Sequence, residues 1–344
     1  MKDWAVQQMR VSAMIFIVFY HCLCFYGILH IQDSVKYENI EYWRSACYFA
    51  LNAFVFISGL LYAKLYSAKE KYRNRKGLLK DKVNRLLLPY FFWSIVALLL
   101  FPSTEPIKML LCGFHHLWFL LMLMGVFLCV MFIGDKIQNA KFLAGGVFTL
   151  LLLNGLASKY GSSIPGYGAW KETLRYLPTF FAGALTARLQ IPAFFRQLPK
   201  FVLPLCTIIT LLLVISVAIV PILPFGNLYV NIPTYLLLIC LYSLLSLYPI
   251  KSHWIVIDNL DKNSMGIYII HHLLIWILIV YIPVISIFLA THPVTGPIIL
   301  FLIIFTLSWL LAHLFTKTKF LRFLFNFRYL YERGRMEINN ALDS

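Results

Sequence analysis

Two side chains in the first apolar stretch, RVSAMIFIVFYH, can do chemistry: Arg10 at its start and His21 at its end. Ionisable groups are expensive inside a lipid-embedded helix and mark functional sites by default. Their spacing is eleven residues, which on an α-helix amounts to about 1100° of rotation, so the two side chains point within about 20° of each other. Along the axis they stand about 16 Å apart. One helix face thus carries a cation near the membrane surface and an imidazole near the midplane, an arrangement suited to a ligand with an anionic end and a deep-lying reactive end. An imidazole with an ordinary pKa of about 6.5 can take a proton from a hydroxyl, so His21 is a candidate general base. Asn52, on the next apolar stretch, is the neutral side chain expected to orient it. Taken singly, Arg10 reads first as a positive-inside anchor and His21 as a hydrogen-bonded core histidine; sharing a face makes the pair more than its parts.

The elements that must position these groups are apolar helices. The expected fold class is all-α, a polytopic integral membrane protein of about ten transmembrane helices with both termini cytoplasmic. A span needs about 20 mostly apolar residues. Ten segments approach this, at about 10–29, 45–64, 86–102, 116–133, 141–158, 175–188, 201–222, 228–248, 264–286 and 296–316. The sixth is the weakest, being short and bracketed by Arg175 and Arg188; a re-entrant piece there would put every later loop on the opposite side. Residues 1–330 read as one transmembrane domain and 331–344 as a short polar tail.

Composition agrees. At 61% hydrophobic and 13% charged, with a mean hydropathy of +0.78, the chain has more apolar side chain than one water-soluble core can bury. Its 30 Lys+Arg against 14 Asp+Glu leave +16, which in a soluble protein would point to nucleic acid. Threaded through a membrane with the N-terminus inside, 24 of the 30 bases fall in cytoplasmic segments. The excess charge is therefore topogenic, and the partners it implies are membrane lipid and anionic ligands, with no nucleic acid. The seven cysteines form no CxxC pair, so neither a disulfide framework nor a metal site is expected. All fourteen acids fall in loops, tails or span edges, which argues against the buried carboxylate relay of a proton-coupled transporter.

Four motifs in order carry a resemblance. Arg10-x10-His21 is followed by ALNAFVFISGLL, with Ser58-Gly59; then KVNRLLLPYFFW, with Lys82, Arg85 and Pro89; then HHLWFL, with His116 and Trp118; and last SMGIYIIHH, from Ser264 through Tyr268 and His271 to His272. Together these resemble acyltransferase family 3 membrane proteins over about residues 1–125 and 264–274. The family's Arg-x-x-Arg has Lys82 in place of its first arginine, which keeps the cation and loses the bidentate fork.

The resemblance implies a bacterial inner-membrane enzyme that moves an acyl group, usually acetyl from cytoplasmic acetyl-CoA, onto a hydroxyl of a cell-surface carbohydrate or its precursor. It makes Arg10 and His21 essential to transfer and sets Lys82 and Arg85 beside the donor, with Ser58, Asn52, His116, Trp118, Tyr268 and His271 as acceptor-side or secondary candidates. Acetyl-CoA is then a co-substrate, and no permanently bound cofactor is expected. Direct attack of the acceptor hydroxyl on the thioester is the favoured chemistry, with an acyl-enzyme through Ser58 or His21 as the other route. Two different classes of function also suit the chain: a transporter of a polysaccharide or lipid-linked sugar, and an assembly subunit that keeps the fold without chemistry.

Overall fold

The computed structural model describes residues 3–28, 37–68, 70–160, 168–219, 226–249, 255–292, 295–318 and 321–326. Among these there is no strand, and each of the ten expected segments falls on a helix: α1 (Trp4–Ile28), α2 (Tyr37–Ala68), α3 (Leu88–Leu100), α4 (Trp118–Ile133), α5 (Ala140–Tyr160), α6 (Ala169–Arg188), α7 (Val202–Ile219), α8 (Gly226–Leu247), α9 (Ile255–Tyr281) and α10 (Thr295–Lys317). Among the described residues six stretches are long and apolar enough by themselves to cross a membrane, namely Trp4–Leu23, Phe49–Ala68, Arg75–Leu100, Pro106–Gln138, Ile255–Tyr281 and Thr295–Lys317. The chain is a polytopic all-α membrane protein. The tail at 331–344 lies outside the described residues.

Two boundaries differ from the hydropathy reading. The ninth helix begins at Ile255 rather than near 264, because its first turns carry Asp258, Asn259, Asp261 and Asn263, whose partners are other helices rather than water. It stops at Tyr281, one residue short of the Ile282–Pro283 pair, and a separate short helix, Pro283–Thr291, follows. Ahead of α3 the helix that begins at Arg75 widens into a π turn at Val83–Leu87, which contains Arg85.

The weak sixth segment is a core helix. Tyr176, Leu177, Pro178, Thr179, Phe180 and Phe181 of α6 are all buried, so its modest apolarity reflects protein rather than lipid as its surroundings. It crosses α2 backbone to backbone. A Cβ added at Gly59 would stand 1.9 Å from the Phe180 carbonyl oxygen, and one at Gly183 2.0 Å from that of Phe56. Each helix thus lends the other a glycine, the small-residue contact by which membrane helices approach closely without a hydrophobic drive. By contrast α7 and α10 turn Leu211, Leu212, Leu302 and Leu314 outward, the lipid-facing pattern.

Three polar contacts join α1 to α9 in parallel: Gln7 Nε2 to Asp258 at 2.7 Å, Arg10 to Asp261 at 2.7 Å, and His21 Nδ1 to His271 Nε2 at 3.0 Å. At the end of the bundle that holds Arg10, Asp3 accepts from Lys64 at 2.8 Å, and Lys64 also reaches the Tyr242 hydroxyl. The first described residues, the end of α2 and the end of α8 therefore meet there.

Gly183→Val should lower the thermal midpoint of the detergent-purified protein, since overpacking against backbone costs about 1–3 kcal/mol or more. Gly145, with nothing within 4 Å of an added Cβ, is the control: Gly145→Ala should leave the midpoint unchanged or slightly raised.

Candidate active site

Two cavities stand toward opposite ends of the bundle, and α1, α2 and α9 line both. The first, about 830 Å³, is basic: Arg10, Arg85, Lys262, Lys317 and Arg322 line it, and among the described residues no Asp or Glu does. Arg10 is paired with Asp261 at 2.7 Å, and Arg85 stands near Asp81 at 3.4 Å. A polar frame stiffens its wall. Asn259 Oδ1 accepts from Trp309 at 2.8 Å and from Asn263 at 2.7 Å, so its amide nitrogen faces His313 Nδ1 at 3.2 Å. Thr316 donates to Asn263 at 2.7 Å, and Arg322 Nε donates to the Thr316 carbonyl at 2.8 Å. Arginine guanidinium groups and lysines around such a space suit phosphate oxygens.

The second cavity, about 800 Å³, is lined by His21, His115, His116 and His272 on one side, and by Trp118, Tyr176, Lys171, Glu172 and Arg175 on another. Arg175 and Glu172 form an ion pair at 3.3 Å. Behind the histidines the contacts are specific. His271, fully buried, sets Nδ1 3.0 Å from the Ile267 carbonyl and Nε2 toward His21. His116 Nε2 meets the Ile269 carbonyl at 3.1 Å, its ring stacks on His272 with centroids 4.3 Å apart, and its own carbonyl accepts from the Tyr268 hydroxyl. Five imidazoles from three parts of the chain therefore share one end of the bundle. Among the described residues no group of His, Cys, Asp and Glu is arranged to hold a metal ion.

Arg10 and His21 do not face one common space. They sit on one helix but open into different cavities, Arg10 into the basic one and His21 into the histidine one. Met14, fully buried, lies between them. On another helix the hydrogen-bond partner of His21 is His271, on its own helix the ring also meets the Ile17 backbone, and the His272 ring stands 5.3 Å away, while Asn52 Oδ1 accepts from the Thr179 hydroxyl at 2.9 Å. Ser58 lines the basic cavity and donates to the Phe54 carbonyl. Of the Lys82/Arg85 pair, only Arg85 lines the basic cavity; the Lys82 ammonium sits over the Phe127 ring, 3.8 Å from its centroid. The π turn begins between these two residues and separates their directions.

Sequence reasoning passed over Lys262, His313, Lys317 and Arg322 as site residues, counting the three cations only as topogenic charge. A signal was available. Asn259, Lys262 and Asn263 stand at i, i+3, i+4, and so do His313, Thr316 and Lys317, which gives two apolar helices one polar face each at the same end.

A family model described as an acyltransferase domain matches residues 3–313 of the chain. The chain belongs to acyltransferase family 3. No curated protein and no solved structure matches it. As a member of this family it is a membrane acyltransferase, and each of α1 to α10 has at least part of its length in the matched region. Lys317 and Arg322 lie just beyond that region, so two cations of the basic cavity belong to this chain outside the acyltransferase family 3 match.

The different settings of the two motif cations predict different phenotypes. If the basic cavity takes phosphate, Arg85→Ala should weaken binding of CoA, used as a probe, to the purified protein by about tenfold. Lys82→Ala should change that affinity less than Arg85→Ala does, and instead lower the thermal midpoint through loss of a cation–π contact worth about 0.5–2 kcal/mol. Isothermal titration and thermal unfolding of both variants check this.

Proposed function

We propose that this membrane acyltransferase carries an acyl group, acetyl by default, from acetyl-CoA in the basic cavity to a hydroxyl of a carbohydrate in the histidine cavity. The observation that carries this reading is the division of labour along α1: Arg10 among five cations in one cavity, His21 among imidazoles in the other. A polyphosphate suits the first. The second pairs Trp118 and Tyr176 with ionic and imidazole groups, the mixture of ring faces and hydrogen-bonding groups that suits a sugar.

In this reading the basic end faces the cytoplasm of a bacterium, as the one-sided excess of Lys and Arg requires, and the histidine cavity opens toward the other face of the inner membrane. Ten alternating crossings need α1 and α9 to run the same way, because seven helices separate them in sequence. Their three parallel contacts support that parity and the counting of α6 as a full span.

The acceptor hydroxyl gives its proton to His21 as its oxygen attacks the thioester carbonyl; the C–S bond then breaks, the CoA sulfur leaves as thiolate, and the acyl group stays on the acceptor oxygen. The acyl end must cross from one cavity to the other. On α1 the step from Arg10 to Ile17, which already lines the histidine cavity, is seven residues or about 10 Å, shorter than the extended pantetheine arm of CoA. Ser58 and His21 line different cavities, which favours direct transfer over acylation of Ser58.

Purified protein should bind CoA, a ligand that a sugar transporter has no use for; absence of binding rejects the donor assignment. His21→Ala should bind CoA within about twofold of the parent while its acetyl transfer falls by at least about 100-fold. Undiminished transfer rejects His21 as the base. Incubation with radiolabelled acetyl-CoA without acceptor should leave the protein unlabelled, and a stable label on it would overturn direct transfer.

A further inference from the structure

We propose that His271 is a positioning residue that holds His21 in its Nδ1–H tautomer and thereby fixes Nε2 as the atom that takes the proton. The assignment follows from counting protons along a chain of three groups. A carbonyl oxygen only accepts, so the His271 Nδ1 that lies 3.0 Å from the Ile267 carbonyl carries the hydrogen. His271 has no exposed surface, and a ring buried that deeply in an apolar bundle is neutral, with a single N–H. Its Nε2 therefore presents a lone pair. The His21 Nδ1 that stands 3.0 Å from that lone pair must be the donor. A neutral His21 then has its own lone pair on Nε2, at the far edge of the ring.

The direction of that edge follows from burial. His21 lines the histidine cavity and His271 does not, so the Nδ1 edge faces the protein and the basic nitrogen is turned from it toward the cavity. This is the reverse of the tautomer that histidine prefers in water. A backbone carbonyl does here what a carboxylate does in a triad, at one remove, and it brings no charge into the membrane. The source of the order is covalent: Ile267 and His271 are one helical turn apart on α9, so the ring is tied to its own helix before it meets α1.

The tautomer is independent of what the protein catalyses, whereas the role of Nε2 as proton acceptor rests on the acyl-transfer reading above; the two are tested apart. Nitrogen-15 NMR of histidine-labelled protein in detergent micelles, with the His21 signals identified by their loss in His21→Asn, should show a protonated Nδ1 and a bare Nε2. A protonated Nε2 with bare Nδ1 overturns the proposal whatever the enzyme does. In His271→Leu the His21 signals should shift toward the Nε2–H form, and kcat for acetyl transfer should fall roughly 100-fold with the KM for acetyl-CoA within about twofold. His271→Gln returns an amide oxygen at similar reach to accept from Nδ1, and should restore kcat to within about tenfold of the parent with the parental tautomer. Full activity in a folded His271→Leu protein, judged by an unchanged thermal midpoint and CoA affinity, rejects the positioning role. If instead the parent protein transfers nothing yet shows the Nδ1–H signature, the tautomer assignment stands and the acyl-transfer reading falls.

Discussion

The pairing of α1 with α9 is the contact on which the rest depends. Polar groups in hydrocarbon must find their partners within the protein, and here Gln7, Arg10 and His21 find Asp258, Asp261 and His271 on a helix some 250 residues away in sequence. One ladder does three things. It seats Arg10 at the rim of the basic cavity, it backs His21 against a buried partner, and it makes the first and ninth helices parallel. Removing the His21–His271 rung would leave the fully buried His271 without that partner, a cost larger than the net worth of the bond itself.

Around that pair the bundle is assembled by shape rather than by apolar attraction. The reciprocal glycines of α2 and α6 bring two backbones into contact, and α2 then supplies Leu51 to one cavity and Ser58 to the other. Both cavities exist because three helices are shared between them while different short segments close each end: Cys112–Phe119 on the histidine side, and the π turn with residues 322–326 on the basic side. The wall between them is thin. On α9 it is the single step from Met265 to Tyr268, about one helical turn.

Much of this was legible in the chain. The apolar segments that fall on helices and the order of the four motifs follow from residue types and spacing, since hydrophobic length is a local property. Less legible were the start of α9, where acids paired with another helix lower the local hydropathy, and the nature of α6, whose modest apolarity suits protein neighbours better than lipid. The role of Arg10 was half readable: its face was right, but helical spacing cannot say whether residues on one face open into one space or two.

By itself the sequence determined that this is an all-α membrane protein and that Arg10 and His21 share a face, which are matters of composition and of periodicity along one helix, and its four ordered motifs carried the resemblance to the acyltransferase family. The tertiary structure alone decided that those two residues line separate cavities, that Lys82 turns to Phe127 while Arg85 turns inward, and that His21 meets His271. The physical reason is range. A helix fixes the direction of its own side chains, but the group a side chain meets, and hence the nitrogen that carries its proton, is set by whichever distant helix packs against it.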